Sequence, residues 1–365
     1  MTPFIESFQT KQLLPPWRAK EARTWSFAIR LQEARIAAYL KKYFNDGYPD
    51  EAPYFYEPLP GPQFGLLSVC HFPQIESLYD AGHGSGSDGN AWDGISHTEV
   101  YMAFPAVRYR RTVESVQTEP SLVWVQPAVY SNNDSIVFSS REIWGTDMFL
   151  ATIEQDPSTE AFHLDAGIVG IKRFDPRSYD QLLAILHIRA GKESDLDLRG
   201  ILNANPDLQE FVNILGGSGL FADHQLPPGV TVSRYPEGVE LNNVKQFRDC
   251  YDMATAIYRA IVASQTSYTN VNAITFYDAA EVDLDFMWSD SIAEFLVTIL
   301  DATPPDPRTP GLGPPDGHKA GPAPGRSVLD WDMDRVPIKV ELAFAFTADI
   351  DFRVLSTLHT YGVGA

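Results

Sequence analysis

Residues 122–152 read LVWVQPAVYSNNDSIVFSSREIWGTDMFLAT. The run 122–130 is rich in Val, Trp and Tyr and reads as a strand; 135–140 reads as a second. Between them, Ser131-Asn132-Asn133-Asp134 is a turn cluster that predicts a hairpin. Arg141-Glu142-Ile143-Trp144-Gly145 then carries the chain out of the second strand through a glycine.

Similar apolar runs flank this stretch. Residues 64–72 (FGLLSVCHF), 96–109, 162–172, 182–189, 273–287 and 340–352 read as strands, the first stopped by Pro73. Residues 17–44 read as an amphipathic helix, because Trp25, Ala28, Ile29, Ile36, Tyr39 and Leu40 recur near helical spacing. Further helices are expected within 193–215, 251–263 and 289–300. The expected organisation is an N-terminal helical extension over 1–50 and one β-rich α+β domain over 51–365. Residues 303–326 hold a proline- and glycine-rich surface excursion that lacks the apolar side chains to join a core.

Composition excludes several function classes. The chain has 365 residues and a net charge of −20, which opposes nucleic-acid and anionic-membrane surfaces. No run approaches the roughly 20 apolar residues of a membrane span. The N-terminus lacks the basic-then-apolar order of a signal peptide, so a cytoplasmic protein is expected. Cys70 and Cys250 are too few for a disulfide framework or a four-cysteine zinc site and read as small buried hydrophobes. Residues 81–90 (AGHGSGSDGN) form a loop that matches neither a dinucleotide fingerprint nor a P-loop, and no cofactor is expected. His83 and Asp88 in that loop are candidate lid contacts. His163 and His187 lie in apolar runs and read as core histidines.

Residues 96–109 (SHTEVYMAFPAVRY) carry the sharpest chemical expectation. Alternate residues of a strand share a face, so His97, Glu99 and Tyr101 share one. An imidazole, a carboxylate and a phenol then form one wall.

The order "turn, strand, small residue, Arg141-Glu142-x-x-Gly145" resembles the signature of the acetoacetate decarboxylase family. Glu99 matches that family's pocket glutamate, with His97 where the family has a tyrosine. Glu240-Leu241, Asn243, Lys245 and Asp249 resemble a third element of it, a core strand. The resemblance runs from about residue 64 to the C-terminus. It implies an antiparallel β-barrel or cone around a closed pocket, with peripheral helices, assembled as a homo-oligomer around a small-molecule ligand. The family signature continues as aromatic-Pro-Lys-Lys-Leu, its first lysine forming an imine with a ketone. Here Thr146-Asp147-Met148-Phe149-Leu150 follows, and Met148 stands at the imine position. The family's carboxylate-handling arginine also has no counterpart, since Pro62 and Gln63 stand nearby.

A thioether forms no imine, so the resemblance combined with Met148 leaves acid–base chemistry. Glu99 and His97 are the expected catalytic pair. Tyr101, Arg141, Glu142, Trp144 and Met148 are the expected substrate contacts. The expected activity is lyase-type (dehydration, decarboxylation, aldol or cyclisation) on an oxygenated small molecule, within secondary metabolism. The alternative is a ligand-binding protein that kept the pocket and lost the reaction. A metal site from His97-x-Glu99 with His71 or His83 is a third option; the expectation adopted is no metal.

Overall fold

The structure is a computed structural model, and it describes residues 14–46, 53–78, 94–110, 120–155, 161–172, 180–194, 198–217, 231–232, 239–248, 256–304, 329 and 333–362. In chain order the elements are β1 (Trp17–Arg30), α1 (Glu33–Leu40), a π-helical turn (Lys41–Asn45), β2 (Tyr54–Pro58), β3 (Phe64–Ser77), β4 (Ile95–Arg110) and β5 (Ser121–Ser131). Next come α2 (Asp134–Ser139), a second π-helical turn (Ser140–Trp144), β6 (Met148–Leu150), β7 (Thr152–Gln155), β8 (His163–Gly170), β9 (Gln181–Arg189) and β10 (Glu193–Ser194). The chain continues through α3 (Leu198–Ala204), α4 (Pro206–Gly217), β11 (Thr231–Val232), β12 (Val239–Arg248) and β13 (Ala256–Tyr277). It ends with β14 (Asp283–Met287), α5 (Ala293–Thr298), β15 (Arg335–Pro337) and β16 (Val340–Gly362).

An eleven-stranded sheet runs β11-β5-β12-β13-β16-β1-β3-β4-β2, with β10 on β13, β6 on β5 and a further pairing of β4 with β5. A five-stranded sheet runs β15-β14-β9-β8-β7. The strand period divides the large sheet's side chains between two cores. Trp25, Phe27, Val100, Met102 and Phe104 pack with Leu164, Leu186 and Phe286 of the small sheet, and with Ile36 and Leu296 of α1 and α5. On the other face, Phe64, Cys70, Phe72, Trp124 and Phe344 pack with Phe211, Val212 and Leu215 of α4 and with Trp144 and Met148. The second face holds the interior site. Among the described residues no helix is long and apolar enough to cross a membrane.

The β-rich α+β class agrees with the sequence, but several elements do not. Residues 17–30 are a strand, not the start of a helical extension, and only Glu33–Leu40 is α-helical. β1 lies inside the large sheet with β16 and β3 on its two edges, and 25–29 are buried on both faces. A strand covered on both sides loses its alternation, so its apolar residues fall at helix-like spacings by chance. Its basic residues are held one by one: Arg18 Nε donates to Asp351 at 2.8 Å, and Arg30 Nη1 to Asp207 at 2.8 Å.

The expected hairpin at 131–134 is instead a helix start. Asn133 Oδ1 accepts the Ile136 N–H at 3.1 Å, so the Asn-Asp cluster is an N-cap and 135–139 are helical. Pro73 does not stop β3: its pairing with β4 shifts register between Phe72 and Ile75, and the strand continues to Ser77, which pairs with Trp17 of β1. Of the helix expected at 251–263, residues 256–263 belong to β13, where pairing with β12 and β16 overrides local spacing. The strand expected at 273–287 is two, separated by a turn in which Asp278 Oδ1 accepts the Ala280 N–H. The loop at 81–90, with His83 and Asp88, lies outside the described residues, as do Cys250, Asp249 and positions 305–326.

Candidate functional site

His97, Glu99 and Tyr101 line up along β4 as the strand period requires. Cross-strand register builds two polar rows around them. Thr24, Cys70 and Glu99 stand side by side on β1, β3 and β4, and so do Ser26, Ser68 and Tyr101. Directly opposed residues share a face, so both rows point into the second core. Thr24 Oγ1 lies 3.1 Å from Cys70 Sγ, and Ser26 Oγ lies 2.9 Å from Ser68 Oγ. Tyr268 of β13 lines the same cavity as Tyr101, and the two phenols interact electrostatically.

His97 is buried, and its ring stacks on Phe72 with centroids 4.7 Å apart and planes at 21°. Its Nε2 lies 3.0 Å from Glu99 Oε1. Its Nδ1 is buried with no hydrogen-bond partner among the described residues. Facing a carboxylate acceptor, Nε2 carries a hydrogen and donates to it. The carboxylate of Glu99 lines a cavity of about 80 Å³, shared with Cys70, Tyr101, Trp124, Gln126 and Tyr268. Burial raises the thiol of Cys70 and the phenols of Tyr101 and Tyr268 above their ordinary values. All three are therefore neutral at physiological pH. The phenols are donors, and the thiol is no nucleophile.

The other expected contacts go elsewhere. Trp144 and Met148 are buried in the second core; Trp144 packs on Trp17 at 4.9 Å, and Met148 pairs with Val129 in parallel register. Arg141 is exposed, 4.0 Å from Asp147 and 5.9 Å from the Phe149 ring centroid. The Glu142 backbone carbonyl accepts the Lys245 ammonium. Of the metal option, His83 lies outside the described residues, and His71 is not brought to His97 and Glu99 by strand register. His71 pairs in register with Thr98, one residue out of step with His97 and Glu99, and bonds Thr98 Oγ1 through Nδ1 at 3.1 Å.

A second cavity, about 610 Å³, is walled by α1 and its π-helical turn, β5, the 145–149 turn, β12 and α5. Arg141, Asp147, Tyr130, Lys245, Tyr43 and Glu294 line it. Burial lowers the Lys245 amine below its ordinary value, with Glu142 acting the other way. Gly145 makes this wall possible. It sits at φ +67, and a Cβ there would stand 2.8 Å from Lys245 Cβ and 3.1 Å from Lys245 N. Asn243 Nδ2 donates to Thr146 Oγ1 at 3.1 Å beside it. The Arg-Glu-x-x-Gly element and the Asn243/Lys245 element, read separately in the sequence, thus pack on one another. Gln126 lines both cavities, at a register shift where Met102 opposes Ala128 but Phe104 opposes Val125.

The sequence missed Tyr268, Gln126 and the role of Lys245 as a cavity wall. Tyr268 falls between two misassigned segments. Gln126-Pro127 inside a strand was a usable signal, since proline within a sheet marks an edge or a bulge.

No protein-family model matches the chain, and no curated protein matches it. Several solved structures are similar to it. Acetoacetate decarboxylase from Legionella pneumophila is 10% identical, with 98% of this chain and 92% of that chain covered and a TM-score of 0.46. The enduracididine biosynthesis enzyme MppR complexed with pyruvate is 12% identical over 97% and 95% of the two chains, with a TM-score of 0.45. An acetoacetate decarboxylase-like enzyme from Sphingomonas wittichii RW1 is 8% identical over 94% and 93%, with a TM-score of 0.44.

Proposed function

We propose that this protein is a lyase-type enzyme acting on a small carbonyl compound, with Glu99 as the proton-transfer group and no imine intermediate. The observation that carries this reading is the His97–Glu99 pair, 3.0 Å apart, at a cavity shared with two neutral phenols. A substrate carbonyl oxygen accepts a hydrogen bond from Tyr268, a neutral phenol that lines the cavity with Glu99. The Glu99 carboxylate takes the proton from the carbon next to that carbonyl. The resulting enolate charge rests on the oxygen facing Tyr268. Glu99, now protonated, returns the proton either to carbon or to a departing hydroxyl. His97 holds the carboxylate from behind and is a positioning residue. General acid–base catalysis of this kind is worth about 10²–10⁴-fold.

In this reading the barrel implied by the sequence resemblance is the ring β5-β12-β13-β16-β1-β3-β4, with β4 paired back onto β5. Its interior faces Glu99 and Tyr101. The small interior volume takes only the reacting end of a substrate. Glu99→Gln tests the proposal: it keeps the shape, removes the base, and should abolish turnover with folding and ligand binding intact.

Lys245 supports a rival reading. Its amine, lowered by burial, borders a cavity within the usual 300–1,000 Å³ of small-molecule sites. An imine there would restore ketone chemistry at a position other than that of Met148. Borohydride with acetoacetate separates the two: the proposed reading predicts unchanged protein mass, and an adduct on Lys245 overturns it. A metabolite that copurifies without being turned over would instead support the ligand-binding alternative.

A further inference from the structure

We propose that His163, Asp165 and His187 form a binding site for a divalent transition-metal ion, Zn²⁺ by preference, on the five-stranded sheet. This site is independent of the chemistry proposed at Glu99.

The topology brings the three together. His163 and Asp165 stand two apart on β8 and share a face. His187 on β9 lies directly opposite Asp165 in antiparallel register. Opposed residues on neighbouring strands also share a face, so all three side chains converge. Their donor atoms lie within 4.8 Å of one another. His163 Nε2 is 3.5 Å from Asp165 Oδ2, and His187 Nδ1 is 2.7 Å from Asp165 Oδ1. The two imidazole centroids are 5.3 Å apart with planes at 68°, so the rings approach from different directions rather than stacking.

The distances fit a tetrahedral ion. Ligands at 2.0–2.2 Å from zinc stand roughly 3.3 Å from one another. The His163–Asp165 gap already has that span and is long for a hydrogen bond. The His187–Asp165 contact has to open by about half an ångström, as the ion takes the place of the bridging proton. The donor set, two imidazoles and one carboxylate, suits Zn²⁺ and neighbouring first-row ions, not the all-oxygen preference of Mg²⁺.

Burial and charge point the same way. The side chains of Asp165 and His187 are only 5% and 6% exposed, while that of His163 is 27% exposed and leaves a route in. A carboxylate that far from water gains most from a cationic partner. Among the described residues, the charges set beside the three by strand register are Glu154, Asp285 and Arg189; Glu154 lies opposite Asp165 on β7. Asp285 lies opposite His187 on the other edge of β9 and is held by Arg335. Arg189, opposite both His163 and Asp283, is exposed.

The test uses the full chain, stripped with a chelator and titrated with Co²⁺ and then Zn²⁺. The expected result is about one ion per chain, with the visible absorption of a four- or five-coordinate Co²⁺ site, displaced by Zn²⁺ and untouched by Mg²⁺. His163→Ala, at the most exposed of the three positions, should weaken binding at least about 100-fold. Imidazole ¹⁵N spectra of the unaltered protein give a readout independent of any variant's folding: Zn²⁺ should shift His163 and His187 and leave His71 and His97 in place. Absence of the Co²⁺ absorption, undiminished affinity in His163→Ala, or shifts confined to His71 and His97 would each overturn the proposal.

Discussion

The interior cavity and the Lys245 cavity are built on opposite principles. The interior cavity takes Glu99 and Tyr101 from one strand, and Cys70 from the position opposite Glu99 on the next strand. It is small, and its neighbouring ionisable groups are held neutral by burial. The Lys245 cavity is several times larger and takes its walls from five separate parts of the chain, carrying both signs of charge. A period-built wall presents a fixed row of functional groups, whereas a wall of turns and helix ends presents a roomy, solvated one. Acid–base chemistry needs the first kind, where a proton's destination is set by geometry. Binding the remainder of a substrate needs the second.

The largest effect that would sharpen this comparison is at Glu99. Glu99→Gln should lower kcat by about 10²–10⁴-fold with an unchanged melting temperature. A Glu99→Gln enzyme of ordinary activity would move the chemistry out of the interior cavity. Tyr268→Phe comes next. In the proposed mechanism it removes the donor to the carbonyl oxygen, and loss of one such donor costs about 10²–10³ in kcat, with KM little altered. An effect on KM alone would make Tyr268 a binding contact.

Gly145→Ala acts on the other region. The new Cβ meets Lys245 backbone and the residue is held at positive φ, so unfolding should become easier by roughly 1–3 kcal/mol. Calorimetry would show this, while proton transfer in the folded fraction at Glu99 should persist. The smallest effect is expected for Lys245→Met. The folded-state pKa of Lys245 lies below its unfolded value, so the unfolded chain binds more protons between the two. The penalty for the charged form is therefore present below the folded pKa and is relieved as pH rises toward about 10.4. Lys245→Met should match or slightly exceed the parent's melting temperature at neutral pH, and the gain should shrink in alkali. A marked loss at neutral pH would mean that the ammonium's bond to the Glu142 carbonyl outweighs its desolvation.

Legibility in the sequence follows the same division. The wall of β4 could be read because residues 97, 99 and 101 obey a period of two that no partner strand alters. β1 could not, because burial on both faces erases the alternation that marks a strand. The 131–134 cluster was ambiguous in a physical sense, since Asn and Asp serve hairpin turns and helix N-caps with the same side-chain acceptor. Trp144 and Met148 were expected at the site because they fall in or beside the family-like signature, Met148 at its imine position. The π-helical turn at Ser140–Trp144 and the left-handed Gly145 redirect the chain, so Arg141 faces a cavity while Trp144 enters the core. Lys245 could not be assigned to a cavity in advance, because its neighbours there come from the far side of the fold.

The central claim is that proton transfer occurs at Glu99 and not through an amine at Lys245. Exchange of carbon-bound hydrogen for deuterium in small ketones and 2-oxo acids (acetone, acetoacetate and pyruvate), followed by proton NMR in D₂O, tests this without knowledge of the natural substrate. The account predicts catalysed exchange of at least one of these compounds by the parent protein and by Lys245→Met, slowed at least about 10²-fold in Glu99→Gln. Exchange that survives Glu99→Gln and disappears in Lys245→Met would contradict it.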